Sequence, residues 1–319
     1  MSLFLITGGA GFIGSHLADA LLCAGHDVRV VDDLSTGRRD NLDPRAKLHV
    51  GDVADATLLH DAASGVAGIF HLAAIASVAR SNEDWLGTHR TNLTGTVCVL
   101  DTARAQGRIP VAYASSAAIY GDQGQDPVAE GARPAPCTAY GADKLGGELH
   151  ARVGTMVHQV PTTGFRFFNV YGPRQDPDSP YSGVISIFAA RIVAGRRVTI
   201  HGDGCQVRDF VHVADVVAHL LAGMDAMRHE QAHGTARCDV LNVCTGRGTS
   251  ILTLAETLGS VVGRQPTIEF GPARRGDIRA SLGNPQATIA TLGLRAQTTL
   301  PDGLSTTCRS LGLVAQEPA

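Results

Sequence analysis

The sequence lacks several features that would point to other kinds of protein. Its seven cysteines are scattered at 23, 98, 137, 205, 238, 244 and 308, with no Cys-x-x-Cys pair. A disulfide framework is therefore not expected, and with no histidine cluster at ligand spacing neither is a zinc or other metal site. No apolar run approaches the roughly 20 residues of a membrane span. Basic charge is not in excess: 27 Lys and Arg stand against 30 Asp and Glu, a net charge of −3. Nucleic acid is then not the expected partner, because no basic face would release counterions from phosphates. There is no internal repeat and no low-complexity linker. The first expected strand starts at residue 3, which leaves no room for a signal peptide and makes the cytoplasm the expected compartment.

What is present suits a large α/β protein. A chain of 319 residues exceeds one ordinary domain, 44% hydrophobic content fills a core, and 37 glycines fit many tight strand-to-helix turns. Strands are expected at Leu3 to Ile6, Asp27 to Val31, Lys47 to Val50, Gly68 to His71, Pro110 to Ala114 and Thr162 to Phe168. Helices are expected over Phe12 to Cys23 and near 55–64, 83–106 and 138–158. Repeated strand–helix units of this length predict a doubly wound parallel sheet of the Rossmann type with right-handed crossovers. Past residue 169 the texture changes. A turn-rich loop over 172–183 precedes shorter elements: helices near 184–194, 213–227 and 250–262, and strands near 197–201 and 239–243. This pattern predicts a smaller α/β substrate-binding domain over 169–319 beside a dinucleotide-binding domain over 1–168, with residues 211–238 returning to the first.

Two motifs carry the chemistry. Gly8, Gly11 and Gly14 fall in the turn between the first strand and the first helix. There a side chain would block a pyrophosphate, and the free N–H groups at the helix start attract its charge. The spacing is Gly-x-x-Gly-x-x-Gly rather than the commoner Gly-x-Gly-x-x-Gly. Asp32 ends the second strand about 20 residues on, where a carboxylate accepts hydrogen bonds from an adenosine ribose. An acid there favours NAD over NADP, although Arg38 and Arg39 nearby keep NADP open. The second motif is Tyr140-Gly141-Ala142-Asp143-Lys144, which sets Tyr140 and Lys144 on one helix face about 6 Å apart along the axis. An unperturbed tyrosine titrates near 10 and is a poor base at neutral pH, but a neighbouring ammonium favours the phenolate. Ser116, at the end of the fifth strand, completes a candidate catalytic set with Tyr140 and Lys144. In open parallel sheets ligands bind beyond the carboxyl ends of the strands. Asp52, Leu72-Ala73-Ala74, Ser116 and Phe168-Asn169 are all expected at that edge.

With these motifs the chain resembles the extended short-chain dehydrogenase/reductases of the NAD-dependent epimerase/dehydratase family. Within that group it is similar to the UDP-glucose and UDP-N-acetylglucosamine 4-epimerases. The likeness runs on through Asn92, the segment from Arg166 to Arg174, Gly202-Asp203-Gly204, the segment from Arg208 to Asp215, and Arg274-Arg275-Gly276-Asp277. It implies NAD as cofactor, a UDP-sugar as substrate and a homodimer as assembly. By the same resemblance Phe12 and Ile13 cover the pyrophosphate and Asp52 and Val53 flank the adenine. Lys144 bonds the nicotinamide ribose, and Asp33, Ser35, Thr36, Gly37, Leu72, Ala73, Ala74, Asn92, Tyr140 and Phe168 complete the cofactor site. Ser77, Ser116 and Asn169 contact the sugar nucleotide, Arg208 and Arg274 neutralise its diphosphate, and Asp277 lies near its ribose. A surface ion pair with an acid such as Asp209 is the competing reading of Arg208. Ser281 lines the hexose pocket, or else merely ends a loop.

Within this family each reaction begins by oxidising the sugar at C4. A dehydratase places an Asp-Glu pair directly after the strand-end Ser or Thr, where this chain has Ala117 and Ala118. Without a second acid/base the 4-keto intermediate can only be reduced again, on its other face. The resemblance therefore implies a nucleotide-sugar 4-epimerase acting on UDP-glucose and, with a small residue at 281, on UDP-N-acetylglucosamine. The alternatives are a UDP-glucuronate 4-epimerase or another NAD-dependent nucleotide-sugar reductase or dehydratase.

Overall fold

The chain opens on a strand–turn–helix unit, β1 (Leu3–Thr7) and α1 (Phe12–Cys23), followed by β2 (Asp27–Asp32) and β3 (Lys47–Val50). The computed structural model describes residues 1–175, 183–273 and 278–314. Next come α2 (Ala56–Ala62), β4 (Gly68–His71), α3 (Val78–Glu83), α4 (Trp85–His89), a π-helical turn over Arg90–Thr94, and α5 (Gly95–Ala105). The elements β5 (Val111–Ser116), α6 (Ala139–His158), β6 (Thr162–Phe167), β7 (Asn169–Tyr171), α7 (Val184–Val193), β8 (Val198–His201) and β9 (Val207–His212) follow. The chain ends with α8 (Val213–Ala232), β10 (Cys238–Val243), β11 (Gly248–Ser250), α9 (Ile251–Val262), β12 (Ile268–Gly271), β13 (Ala280–Ser281), α10 (Gln286–Leu292) and α11 (Leu300–Ser310).

Seven strands form one parallel sheet in the order β10-β6-β5-β4-β1-β2-β3. The order reverses between β1 and β4, and in a doubly wound sheet that crevice is where a ligand sits. Both faces are covered. Phe4 and Ile6 point into one core with Leu17, Leu21, Leu220 and Met224 of α1 and α8. The alternate residue Leu5 points into the other, with Leu59, Val99, Leu100 and Ala151 of α2, α5 and α6. Helix α8 thus lies on the large sheet and leads into β10 at its edge. A third core gathers Phe188, Ile192, Ile200, Phe210, Leu254, Leu258 and Leu304 around α7, α9 and α11. Beside it β9 is flanked by β11 and β13 and also pairs with β7.

The helical stretch expected over 83–106 is not one helix. Ser77 accepts from the Arg80 N–H at 3.1 Å and starts α3; Asp84 accepts from Gly87 N–H at 2.9 Å and starts α4. These side chains offer the backbone an alternative to a continuous ladder. The short strands β7, β9, β11, β12 and β13 and the helices α10 and α11 add to the expected elements. Among the described residues no helix is long and apolar enough to cross a membrane.

Candidate active site

The glycine turn is shaped by contact. Gly8 has φ +71° and donates its N–H to Val31 O at 2.8 Å; a Cβ there would lie 2.6 Å from Ala73 N. The turns after β1 and β4 therefore touch at the crevice between these strands. A Cβ on Gly14 would lie 2.2 Å from Gly8 O, so α1 packs directly on the turn. No side chain caps the start of α1, which leaves its first N–H groups for an anion. Phe12 and Ile13 line the cleft beside them. His16, one turn on, bonds Pro173 O through Nε2 at 2.9 Å and ties α1 to the loop after β7.

Asp32 is buried, and burial raises its pKa against two backbone bonds that lower it. Its oxygens accept from Ala10 N–H and Leu34 N–H, each at 2.9 Å. Each carboxylate oxygen keeps a second lone pair for a ribose hydroxyl. Asp33 accepts from the Ser35 N–H and hydroxyl, and Asp33, Ser35 and Thr36 line the cleft. Gly37 does not; it packs behind Asp32, where a Cβ would lie 2.7 Å from Oδ1. Asp52 and Val53 line the same end, and Arg90 reaches across to Asp52 at 3.1 Å.

The turn after β4 is held from below. The Thr96 hydroxyl donates to Asn92 O at 2.6 Å, so it accepts from His71 Nε2–H at 3.0 Å. His71 Nδ1 then accepts from the Thr7 hydroxyl at 2.7 Å. Burial, helped by the Lys144 charge, pulls this imidazole down to about 3, so it stays neutral. Leu72, Ala73 and Ala74 line the cleft. Asn92 and Ser77, expected as ligand contacts, do not. Asn92 is buried in the π-helical turn, where it accepts from Ile75 N–H at 2.8 Å and donates to Ile75 O at 3.1 Å. Ser77 caps α3. Both hold the backbone of the loop that follows β4.

Ser116, Tyr140 and Lys144 come together at the end of β5. Thr138 caps α6 by accepting from Gly141 N–H at 3.0 Å, which starts the helix just ahead of Tyr140. Lys144 is buried, donates to Ala114 O at 2.9 Å, and its Nζ lies 5.8 Å from the Tyr140 ring centroid. Burial pulls the Lys144 ammonium down to about 8, with the Asp143 charge opposing. Burial also raises the Tyr140 phenol, and its hydrogen bond with Ser116 opposes that. Burial alone favours the neutral pair; each group in its charged form favours the charge of the other. A phenolate–ammonium pair beside a bound hydroxyl is a tuned general base. Glu148, one turn past Lys144, joins α6 to the same strand ends. It accepts from the Ser115 hydroxyl at 2.5 Å and from Arg166 at 2.9 and 2.7 Å in a buried fork. The four-residue spacing of Tyr140, Lys144 and Glu148 was the signal that could have found it.

Beyond Tyr140 the cleft is lined by Ala117, Ala118, Phe168, Asn169, Arg208 and Ser281. Asn169 donates to Asp209 O at 3.2 Å. Arg208 and Asp209 are neighbours on β9 and so point to opposite faces. The Asp209 carboxylate is fully buried and accepts from Thr245 and Gly246 N–H groups. Ser281 on β13 stands in register with Arg208. Gln175, Ile278, Arg80 and Arg90 also line the cleft, and none carried a sequence signal. Arg274 and Asp277 lie outside the described residues. The cleft holds about 910 Å³, within the range of cofactor and small-molecule sites. Among the described residues no three His, Cys, Asp or Glu side chains gather as a metal site.

Comparison with known proteins agrees with this geometry. The model of the NAD dependent epimerase/dehydratase family matches residues 4–243. The chain is 37% identical over 311 residues to a UDP-glucose 4-epimerase of Mycolicibacterium smegmatis, covering 95% of this chain and 96% of the relative. It superposes with a TM-score of 0.90 on a UDP-glucose 4-epimerase of Thermotoga maritima solved with UDP-glucose, at 34% identity over 97% of this chain and 98% of the other. A UDP-N-acetylglucosamine 4-epimerase of Methanobrevibacter ruminantium, solved with UDP-N-acetylmuramic acid, gives the same TM-score at 29% identity, with 97% and 98% covered.

Proposed function

The chain belongs to the NAD dependent epimerase/dehydratase family, and we propose that it is a UDP-sugar 4-epimerase. It interconverts UDP-glucose with UDP-galactose, and UDP-N-acetylglucosamine with UDP-N-acetylgalactosamine. The observation that carries the reaction type is the wall beside the base. Dehydration needs a second acid/base to expel a hydroxyl and take the C5 proton, and Ala117 and Ala118 line the cleft there. Of the acids that line the cleft, Asp32, Asp33 and Asp52 lie at the ends of β2 and β3, on the other side of β1, and Asp84 is engaged in capping α4.

The residues fit NAD. The glycine turn forms a cradle that Cβ atoms would fill, α1 presents uncapped N–H groups, and Asp32 offers ribose acceptors. When bound, NAD supplies a reversible hydride acceptor for the sugar C4. The Tyr140 phenolate takes the proton of the C4 hydroxyl, Ser116 hydrogen-bonds the same oxygen, and Tyr140 later returns the proton. Lys144 keeps the phenolate accessible at neutral pH. Arg208 and Arg274 neutralise the diphosphate, and Asn169, Asp277 and Ser281 contact the nucleotide sugar. Positioning and a tuned base supply the rate.

Each cycle leaves NAD in its starting state, so release between turnovers is unnecessary. Protein purified without added cofactor should carry NAD and convert UDP-glucose to UDP-galactose, with no NADH appearing in solution. Stoichiometric NADH release, read by absorbance, would mark an ordinary dehydrogenase.

A homodimer is supported by exposed apolar side chains on two adjoining helices. Leu149, Val153, Met156 and Val157 fall on one face of α6 and are 51–66% exposed, while Trp85 and Leu86 of the adjoining α4 are 70% and 80% exposed. Such a patch on a monomer is unusual and fits a second copy of the same face. Val153→Glu with Met156→Glu should halve the mass seen by light scattering; a monomeric wild type would end the idea. Free cysteines throughout the described chain support a reducing, cytoplasmic setting.

A further inference from the structure

We infer that Asp143 is a positioning residue for the base, a buried carboxylate anchored on His89 of α4 that holds the charge of Lys144 from behind the catalytic helix. The inference rests on the epimerase reading of the site. Asp143 precedes Lys144, is only 5% exposed, and lies on a different face of α6 from the cleft wall. Its Oδ1 bonds His89 Nδ1 at 2.8 Å; its buried Oδ2 meets no donor among the described residues. A buried carboxylate oxygen without a donor is uncommon, and this one belongs to the residue next to Lys144 in the chain. Lys144 is also 5% exposed, and Nζ bonds a neutral carbonyl, Ala114 O. Burial works against its ammonium, and the Asp143 charge works for it.

The other titratable groups packed around α6 are neutral, paired, exposed or on the cleft wall. His71 at the end of β4 is neutral, and burial holds the Tyr113 phenol of β5 well above its usual range. Arg166 of β6 is matched by Glu148 of α6, and Arg90 turns to Asp52. Asp101 and Arg104 of α5 pair with each other, and Asp239 of β10 pairs with Arg237. Arg80 of α3 lies on the cleft wall, Glu83 of α3 is exposed, and Asp84 caps α4.

The sign of the effect follows. Removing a negative charge disfavours protonated forms, so the pKa values of Lys144 and of Tyr140 both fall. In NAD-loaded Asp143→Asn, which keeps the shape and the acceptor for His89, both limbs of the kcat–pH profile should move to lower pH by about 0.5–1 unit. The Tyr140 phenolate, read by ultraviolet difference titration against Tyr140→Phe, should appear at correspondingly lower pH. Asp143→Glu should bring the limbs back toward wild type. A loosened helix would scale the profile at every pH without moving it. Unmoved limbs and an unmoved phenolate titration, with or without lost amplitude, overturn the inference. If Asp143→Asn does not fold by circular dichroism, Asp143→Ser gives the same reading. Wild-type protein without 4-epimerase activity would defeat the reading of the site itself, whereas an active wild type with unmoved variant limbs defeats only this inference.

Discussion

Tyr140→Phe should lower kcat for UDP-glucose epimerisation by about 10²- to 10⁴-fold, the range typical of a positioned general acid–base group. The ring would keep its packing at the start of α6, and only the hydroxyl beside Ser116 would go. Binding of the nucleotide part does not use that hydroxyl, so affinity for UDP-glucose should change little and kcat/KM should fall with kcat. Retained NAD in the purified variant separates lost chemistry from lost cofactor. Ser116→Ala should slow turnover less, because it removes one hydrogen bond to the reacting oxygen and leaves the base in place. Near-native turnover by Tyr140→Phe would refute the mechanism.

Ser281→Tyr should abolish most activity on UDP-N-acetylglucosamine while sparing UDP-glucose. Ser281 is half-buried on β13, in register with Arg208, and lines the cleft. A sugar turning to present its other face needs room for a 2-N-acetyl group in both orientations. A tyrosine would project into that space, and overpacking of this kind carries about 1–3 kcal/mol, or roughly a 5- to 160-fold selective loss. Rates on both substrates, measured on the same NAD-loaded preparation, give the ratio directly. A wild type that turns over UDP-glucose and shows no acetylated activity would remove the basis for the expectation.

What the sequence determined by itself is local. The strand, glycine turn and helix over residues 3–23 were legible because their signals lie within a few residues of the groups they place. A strand must end where a glycine takes positive φ, and a helix starts where N–H groups are left free. The Tyr140–Lys144 pair was legible for the same reason: a helix of known pitch puts residues four apart on one face. The parallel sheet followed from repeated strand–helix units, and its strand ends collect Asp32, Leu72 and Ser116 at one edge.

The tertiary structure decided whatever depends on partners far along the chain. β9 becomes a strand because β7, β11 and β13 pair with it from 41 residues upstream and up to 73 residues downstream. No local pattern in two or three residues can announce such pairing. Asn92 bonds the Ile75 backbone, Ser77 caps α3 and Gly37 packs behind Asp32, placements that no local pattern announces. Asp143 has no sequence signal beyond its place between Tyr140 and Lys144; the packing of α4 on α6 buries it against His89. Local propensity acts over one helical turn or one strand. The decision between touching a ligand and holding the residue that does is made by long-range burial, where an unmet polar group is expensive and each side chain turns to its nearest partner.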